Sequence, residues 1–134
     1  MKRLIFSLII ILLFTNTLHA AKFNWEKIST AEDGSVFYLD KKTSFKVGGY
    51  TYYWMLTNVY DGKSNWKSSI THNIANCRTN ENKYITITTF AGYGGKGKII
   101  VDAIVPEEVP ELFKWDYFRK ESTQGAVLEE ACKN

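Results

Sequence analysis

The chain has 134 residues, of which 45% are hydrophobic and 23% charged. That balance suits one modest domain and excludes both a disordered tail and a multi-span membrane protein. The formal net charge is +3, but Lys2 and Arg3 supply two of the 17 basic residues, so the chain beyond residue 20 sets 15 against 14 acidic ones and carries +1, too little for a nucleic-acid partner that needs a concentrated basic face.

The chain opens with Lys2 and Arg3, followed by an apolar run over residues 4–14 that only Ser7 interrupts. Residues 15–18 then lead to His19-Ala20-Ala21, where small side chains suit a signal peptidase. This layout predicts a cleaved secretory signal over residues 1–20, cut after Ala20 or one residue later. The run is shorter than the roughly 18 apolar residues a spanning helix needs, so no transmembrane segment is expected after cleavage. No cysteine lies near the cut, so a lipid-anchored form is not expected. Residues 21–134 then form a single domain, exported to the periplasm, the outer surface or the medium.

Period-two alternation of β-branched and aromatic residues dominates that domain and predicts strands. Residues 35–40 (SVFYLD) form a short strand after the Asp33-Gly34 turn. Residues 44–47 pair with residues 50–60 through Gly48-Gly49, a two-residue hairpin loop. In the longer strand Tyr50, Tyr52, Trp54 and Leu56 share one side, and Tyr53, Met55 and Val59 the other. Both sides are apolar, which predicts a central strand covered on both faces. Residues 69–77 give a further strand, residues 78–82 a turn, and residues 83–90 (KYITITTF) the clearest strand of all. A glycine-rich segment at 91–97 precedes a strand at 98–105. An acidic connection between Pro106 and Pro110 leads to residues 112–118, ambiguous between a short helix and an edge strand.

The C-terminus changes period. Ser122 or Thr123 caps a helix running to about Lys133, with Val127, Leu128, Ala131 and Cys132 on one narrow apolar stripe. Cys77 and Cys132 are the only cysteines, and export places them where disulfides persist, two free buried thiols being the alternative. A bridge would staple the last helix to the sheet at the end of the Cys77 strand. The fold class is therefore α+β: an antiparallel β-sheet with a C-terminal helix tied to it by one disulfide.

Gly92, Gly94 and Gly97 satisfy a dinucleotide-type glycine pattern, but that motif needs a helix directly after it. Ile99, Ile100 and Val101 follow instead, so a hairpin loop or a bulge is expected. His72 lies five positions before Cys77, an odd spacing that sends the two side chains of a strand to opposite faces and leaves no nucleophile pair. Beyond residue 20, one histidine and two oxidised cysteines furnish no zinc set, and Glu107, Glu108 and Glu111 lack the spacing of a calcium loop. Glu129 and Glu130 fall on the solvated side of the last helix. No catalytic residue, metal or cofactor is therefore expected. The candidates for partner recognition are Tyr93 with its flanking Lys96 and Lys98, and Trp66 in its polar stretch, because aromatic and basic residues on loops anchor interfaces.

Taken in order, Trp25, Val36-Phe37-Tyr38-Leu39-Asp40, Trp54-Met55-Leu56, Ser68-Ser69, Asn76-Cys77, the glycine turn near Gly92 and the closing helix with Cys132 resemble the surface-adhesin protein E family of bacterial envelope proteins. The resemblance spans residues 23–134. It implies an antiparallel sheet with the C-terminal helix held across one face by the Cys77–Cys132 bridge. It also implies a non-catalytic role in the envelope, with attachment to host extracellular-matrix proteins as the namesake activity. The alternative is a periplasmic structural or interaction module that engages an envelope partner. A small secreted enzyme or inhibitor would need convergent polar groups that the sequence does not offer. Self-association as a homodimer through an exposed strand edge stays open.

Overall fold

The computed structural model describes residues 23–104 and 108–133. The signal segment 1–20, both cleavage positions and Pro106 with Glu107 of the acidic connection lie outside the described residues. Six strands run as a simple antiparallel meander: β1 (Trp25–Thr30), β2 (Val36–Val47), β3 (Tyr50–Asn58), β4 (Ser68–Asn76), β5 (Glu81–Phe90) and β6 (Ile99–Ile104). A 3-10 turn (Pro110–Phe113) and a two-residue strand β7 (Asp116–Tyr117) follow, β7 pairing with the far edge of β5 below β6. The region ambiguous in sequence thus holds both a helical turn and an edge strand. Helix α1 (Thr123–Cys132) closes the chain.

Apart from shifts of two residues, where β5 starts at Glu81 inside the expected 78–82 turn and β3 ends at Asn58, three features differ from the sequence reading. Residues 25–30 form an additional strand, which the sequence does not advertise because its apolar positions are broken by a register shift between Lys27 and Ser29. Residues 44–47 are not a separate strand but the end of a continuous 12-residue β2. A bulge between Asp40 and Phe45 bends that strand. There the Asp40 carboxylate accepts from the Lys42 amide at 3.1 Å, and its carbonyl accepts from the Ser44 hydroxyl at 3.2 Å. The third difference concerns coverage of β3.

Helix α1 starts where the sequence expects. The Ser122 side chain accepts from the Gly125 amide at 2.9 Å, satisfying one of the amides a helix start leaves unpaired. Its buried stripe of Val127, Leu128 and Ala131 packs on Phe37 and Leu39 of β2, Tyr53 and Met55 of β3, Ala75 of β4, and Phe118. Burying each of the large aliphatic side chains contributes about 1.5–3 kcal/mol. Cys132, one turn beyond Leu128, is joined to Cys77 by the disulfide. Glu129 is exposed as expected. Glu130 instead pairs with Lys133 and with Lys41 of β2, which the helix crosses.

Helix α1 covers this inner face, and on the outer face the β5–β6 loop covers only the end of the sheet at Leu56, Asn58 and Ser68. Elsewhere on the outer face Tyr52 and Trp54 are half-exposed, so the expectation that β3 is covered on both sides is corrected at those positions. Rings on this face shield one another rather than meeting a second layer. Phe45 stacks on Tyr52 with centroids 5.0 Å apart, and Trp54 on His72 at 4.3 Å.

Candidate functional site

One end of the sheet gathers the β1–β2 turn, the β3–β4 loop and the β5–β6 loop. The β3–β4 loop closes through the Val59 amide, which donates to the Lys67 carbonyl at 2.8 Å. Inside it the Asp61 carboxylate accepts from the Ser64 and Lys63 amides at 3.0 and 2.9 Å and from the Ser64 hydroxyl at 2.9 Å. Those bonds hold the Asp61 carboxyl below its ordinary range, the Ser64 amide acting most strongly. The Lys67 amide donates to the Phe90 carbonyl at 2.9 Å and ties this loop to the next.

The glycine-rich segment is a hairpin loop between β5 and β6, and no helix follows it. It folds back over the outer face of the sheet. The Gly94 amide donates to Asn58 Oδ1 at 2.8 Å and the Gly95 amide to Ser68 Oγ at 2.9 Å, while Ser68 Oγ donates to the Gly92 carbonyl at 2.6 Å. Ser68 is fully buried under the loop. Gly95 has φ +70°, and a Cβ there would stand 2.6 Å from Ile70 Cδ1. A Cβ at Gly92 would stand 2.7 Å from the Lys96 carbonyl oxygen. The glycines therefore permit a close approach of backbone to sheet, and the loop's amides are spent on Asn58 and Ser68 rather than on an anion.

This docking fixes Tyr93 at the loop's outer side, where it stacks on Tyr60 with centroids 4.7 Å apart and rings 19° from parallel. Lys67 Nζ sits 5.3 Å from the Tyr93 ring centroid, within cation–π reach. Tyr60 and Tyr93 remain 47% and 40% exposed, which leaves ring surface for a partner. Lys96 and Lys98 are exposed on the same loop, and among the described residues neither they nor Lys67 joins an ion pair. Of the residues singled out in the sequence, Tyr93, Lys96 and Lys98 thus come together. Trp66 lies on the neighbouring loop beside Lys67, is half-buried and takes no part in the stack. Tyr60 and Lys67 were missed. Their signal was weak, because Tyr60 reads as a strand end and Lys67 as one lysine among many.

Two groups considered for chemistry are placed elsewhere. Cys77 is held in the disulfide at the opposite end of the sheet. His72 lies on the outer face against Trp54, and burial lowers its pKa from the ordinary 6.5. Among the described residues no three His, Cys, Asp or Glu side chains form a group suited to a metal ion. No helix among them is long and apolar enough to cross a membrane.

The model of the surface-adhesin protein E family matches residues 25–133. The chain belongs to that family. Among solved structures, that of Haemophilus influenzae protein E is similar, with a TM-score of 0.57 at 12% identity over 86% of this chain and 88% of the other. A second crystal form of the same protein gives a TM-score of 0.57 at 12% identity, covering 86% and 91% of the two chains. Protein E from non-typeable Haemophilus influenzae gives 0.51 at 10% identity, covering 84% and 80%. At such identities the likeness concerns the fold alone. No curated protein matches the sequence. The adhesin E family is described by surface attachment and not by a reaction.

Proposed function

We propose that this adhesin E family member is exported under the direction of residues 1–20. Residues 21–134 would then be a non-catalytic envelope binding domain that attaches to host extracellular-matrix proteins. The attachment surface is the loop end carrying Tyr93, Lys96 and Lys98, extended by Tyr60 and Lys67, with Trp66 at its margin. One observation carries this reading: exposed Tyr93, stacked on Tyr60 of the neighbouring loop and flanked by lysines without an ion pair among the described residues, is held on a loop whose backbone is fastened to buried Asn58 and Ser68. Rigid aromatic anchors lose little entropy on binding, and lysines around them steer an approaching partner. The host-matrix partner is what the family's description suggests.

Two measurements test the proposal together. Protease shaving of intact cells, with a periplasmic control protein, should remove this chain. The purified mature protein should bind immobilised matrix proteins, and Tyr93→Ala or the Lys96→Ala/Lys98→Ala pair should weaken that binding about tenfold or more, as expected of anchor residues. Protection of the chain until the outer membrane is opened would sink surface attachment. A second reading is a periplasmic structural or interaction module that engages an envelope partner. Recovery of a crosslinked periplasmic partner without surface exposure would select that reading.

A further inference from the structure

The outer face of the sheet holds a second arrangement, independent of the loop end. Strand pairing places Trp25 of β1, Asp40 of β2, Trp54 of β3 and His72 of β4 side by side in one row. Phe23 lies across the first part of this row, its ring 4.6 Å from that of Trp25 and 5.3 Å from that of Trp54. Asp40 sits between those two indoles and is 1% exposed, on a face with no second layer. The only buried side-chain polar atoms without a hydrogen-bond partner among the described residues are Asp40 Oδ2 and His72 Nε2. They flank Trp54 from its two neighbouring strands. Buried polar atoms are nearly always paired, so two orphans on either side of one half-exposed indole need an explanation.

We propose that this row is a carbohydrate site for a neutral hexopyranose, whose C–H face stacks on Trp54 in the place Phe23 takes in the free protein, with one sugar hydroxyl donating to Asp40 Oδ2, while the His72 ring backs the opposite face of the indole. The chemistry selects this class. The slightly positive C–H face of a pyranose complements the negative face of an indole. A sugar hydroxyl donates to the carboxylate while the ring carbons beside it cover the indole, so one small ligand meets both the charge and the apolar face. A proline-rich extended peptide would also lie on aromatic rows, but proline has no N–H for Asp40. An acidic sugar would set its carboxylate or sulfate against that of Asp40. Phe23 covers the carboxylate when no sugar is bound and yields to it.

The test uses the mature exported protein, with lactose, maltose and mannobiose as probes and sialyllactose as the charged comparison. Binding is followed through the indole N–H signals of the tryptophans by NMR titration. At least one neutral disaccharide should shift the Trp25 and Trp54 signals saturably and leave that of Trp66 unmoved. Sialyllactose should bind about tenfold more weakly. Asp40→Asn keeps the Lys42 bond and the bulge, and should weaken binding about tenfold by replacing a charge-assisted bond. His72→Gln should weaken it as well. Phe23→Ala should tighten it, a result that a merely structural ring would not give. The Lys96→Ala/Lys98→Ala pair should leave sugar binding unchanged, which separates this site from the matrix-binding surface. No saturable shift with any of the three neutral sugars overturns the proposal. So does unchanged affinity in a folded Asp40→Asn protein. Concentration-dependent shifts of the same two indoles without sugar, accompanied by dimer sedimentation, would assign the row to a self-interface and overturn it too.

Discussion

Replacing Tyr53 with Phe tests whether a buried polar chain holds the inner face together. The Tyr53 ring is fully buried and its hydroxyl donates to Asn82 Oδ1 at 2.6 Å. Asn82 Nδ2 donates onward to Asn73 Oδ1 at 3.1 Å, and Asn73 Nδ2 to the Thr71 carbonyl at 3.1 Å and hydroxyl at 2.8 Å. Tyr53→Phe keeps the ring and removes one oxygen, which leaves Asn82 Oδ1 buried without its donor. Orphaning such an acceptor costs about 1–3 kcal/mol. We expect about 2 kcal/mol, which for a domain of this size lowers the melting temperature by about 8 °C. Urea titration of the oxidised protein should show a lower midpoint at unchanged slope. A loss below about 0.5 kcal/mol would refute the reasoning, because that is the spread of an ordinary surface substitution. The same hydroxyl gives a second signature. Burial pushes its pKa well above the ordinary 10.0, so the native state favours the neutral form and the unfolded chain ionises first. That stabilising contribution is whole below pH 10 and is lost as pH rises above it. Tyr53→Phe should lose stability less steeply there, with a residual slope from Tyr84, whose pKa burial also raises.

Cys132→Ser should remove about 4 kcal/mol by the chain-entropy model for a bridge separating residues 55 apart. Calorimetry should register a fall of about 16 °C, and an unchanged melting curve would count against the bridge. Burial lowers the His72 pKa below 6.5, so the unfolded chain takes up that proton first and this stability is present above pH 6.5 and lost as pH falls through it. His72→Gln should flatten the stability profile between about pH 7 and 5, and an equal slope in both proteins would sink that assignment. Gly95→Ala combines a left-handed φ of +70° with a methyl 2.6 Å from Ile70 Cδ1. It should cost about 1–3 kcal/mol and weaken matrix binding through Tyr93. A variant as stable as the parent would mean that the loop is not docked as described.

The parts of the fold legible in the sequence are those governed by local period. The alternation in residues 50–58 and 83–90 and the Val127–Leu128–Ala131 stripe gave the right elements, because strand and helix periods are fixed by backbone geometry. β1 was not legible: a bulge erases alternation in a six-residue strand. The bend in β2 hid for a related reason, since Asp40, Lys42 and Ser44 read as a polar break and instead bond one another across a bulge. At the loop end, Tyr93, Lys96 and Lys98 were visible as neighbours in one segment. Tyr60 and Lys67 reach them only through pairing between the third, fourth and fifth strands. The row from Trp25 to His72 was beyond any local pattern, because each member comes from a different strand and its orphaned atoms depend on cross-strand register.

The last helix is in contact with the first two strands, and the Ser29 hydroxyl donates to the Thr123 carbonyl across 94 positions of sequence at 3.0 Å. A chain made and exported from its N-terminus can assemble its hairpins one after another as each strand arrives. The surface built from Phe37, Leu39, Tyr53 and Met55 nevertheless stays wet until the ten residues of the helix emerge, and the cysteine that ties them to the sheet comes at the helix's far end. The bridge can therefore form only after this helix has reached the sheet. A chain truncated before residue 123 would leave that apolar surface without its helix and Cys77 without its partner.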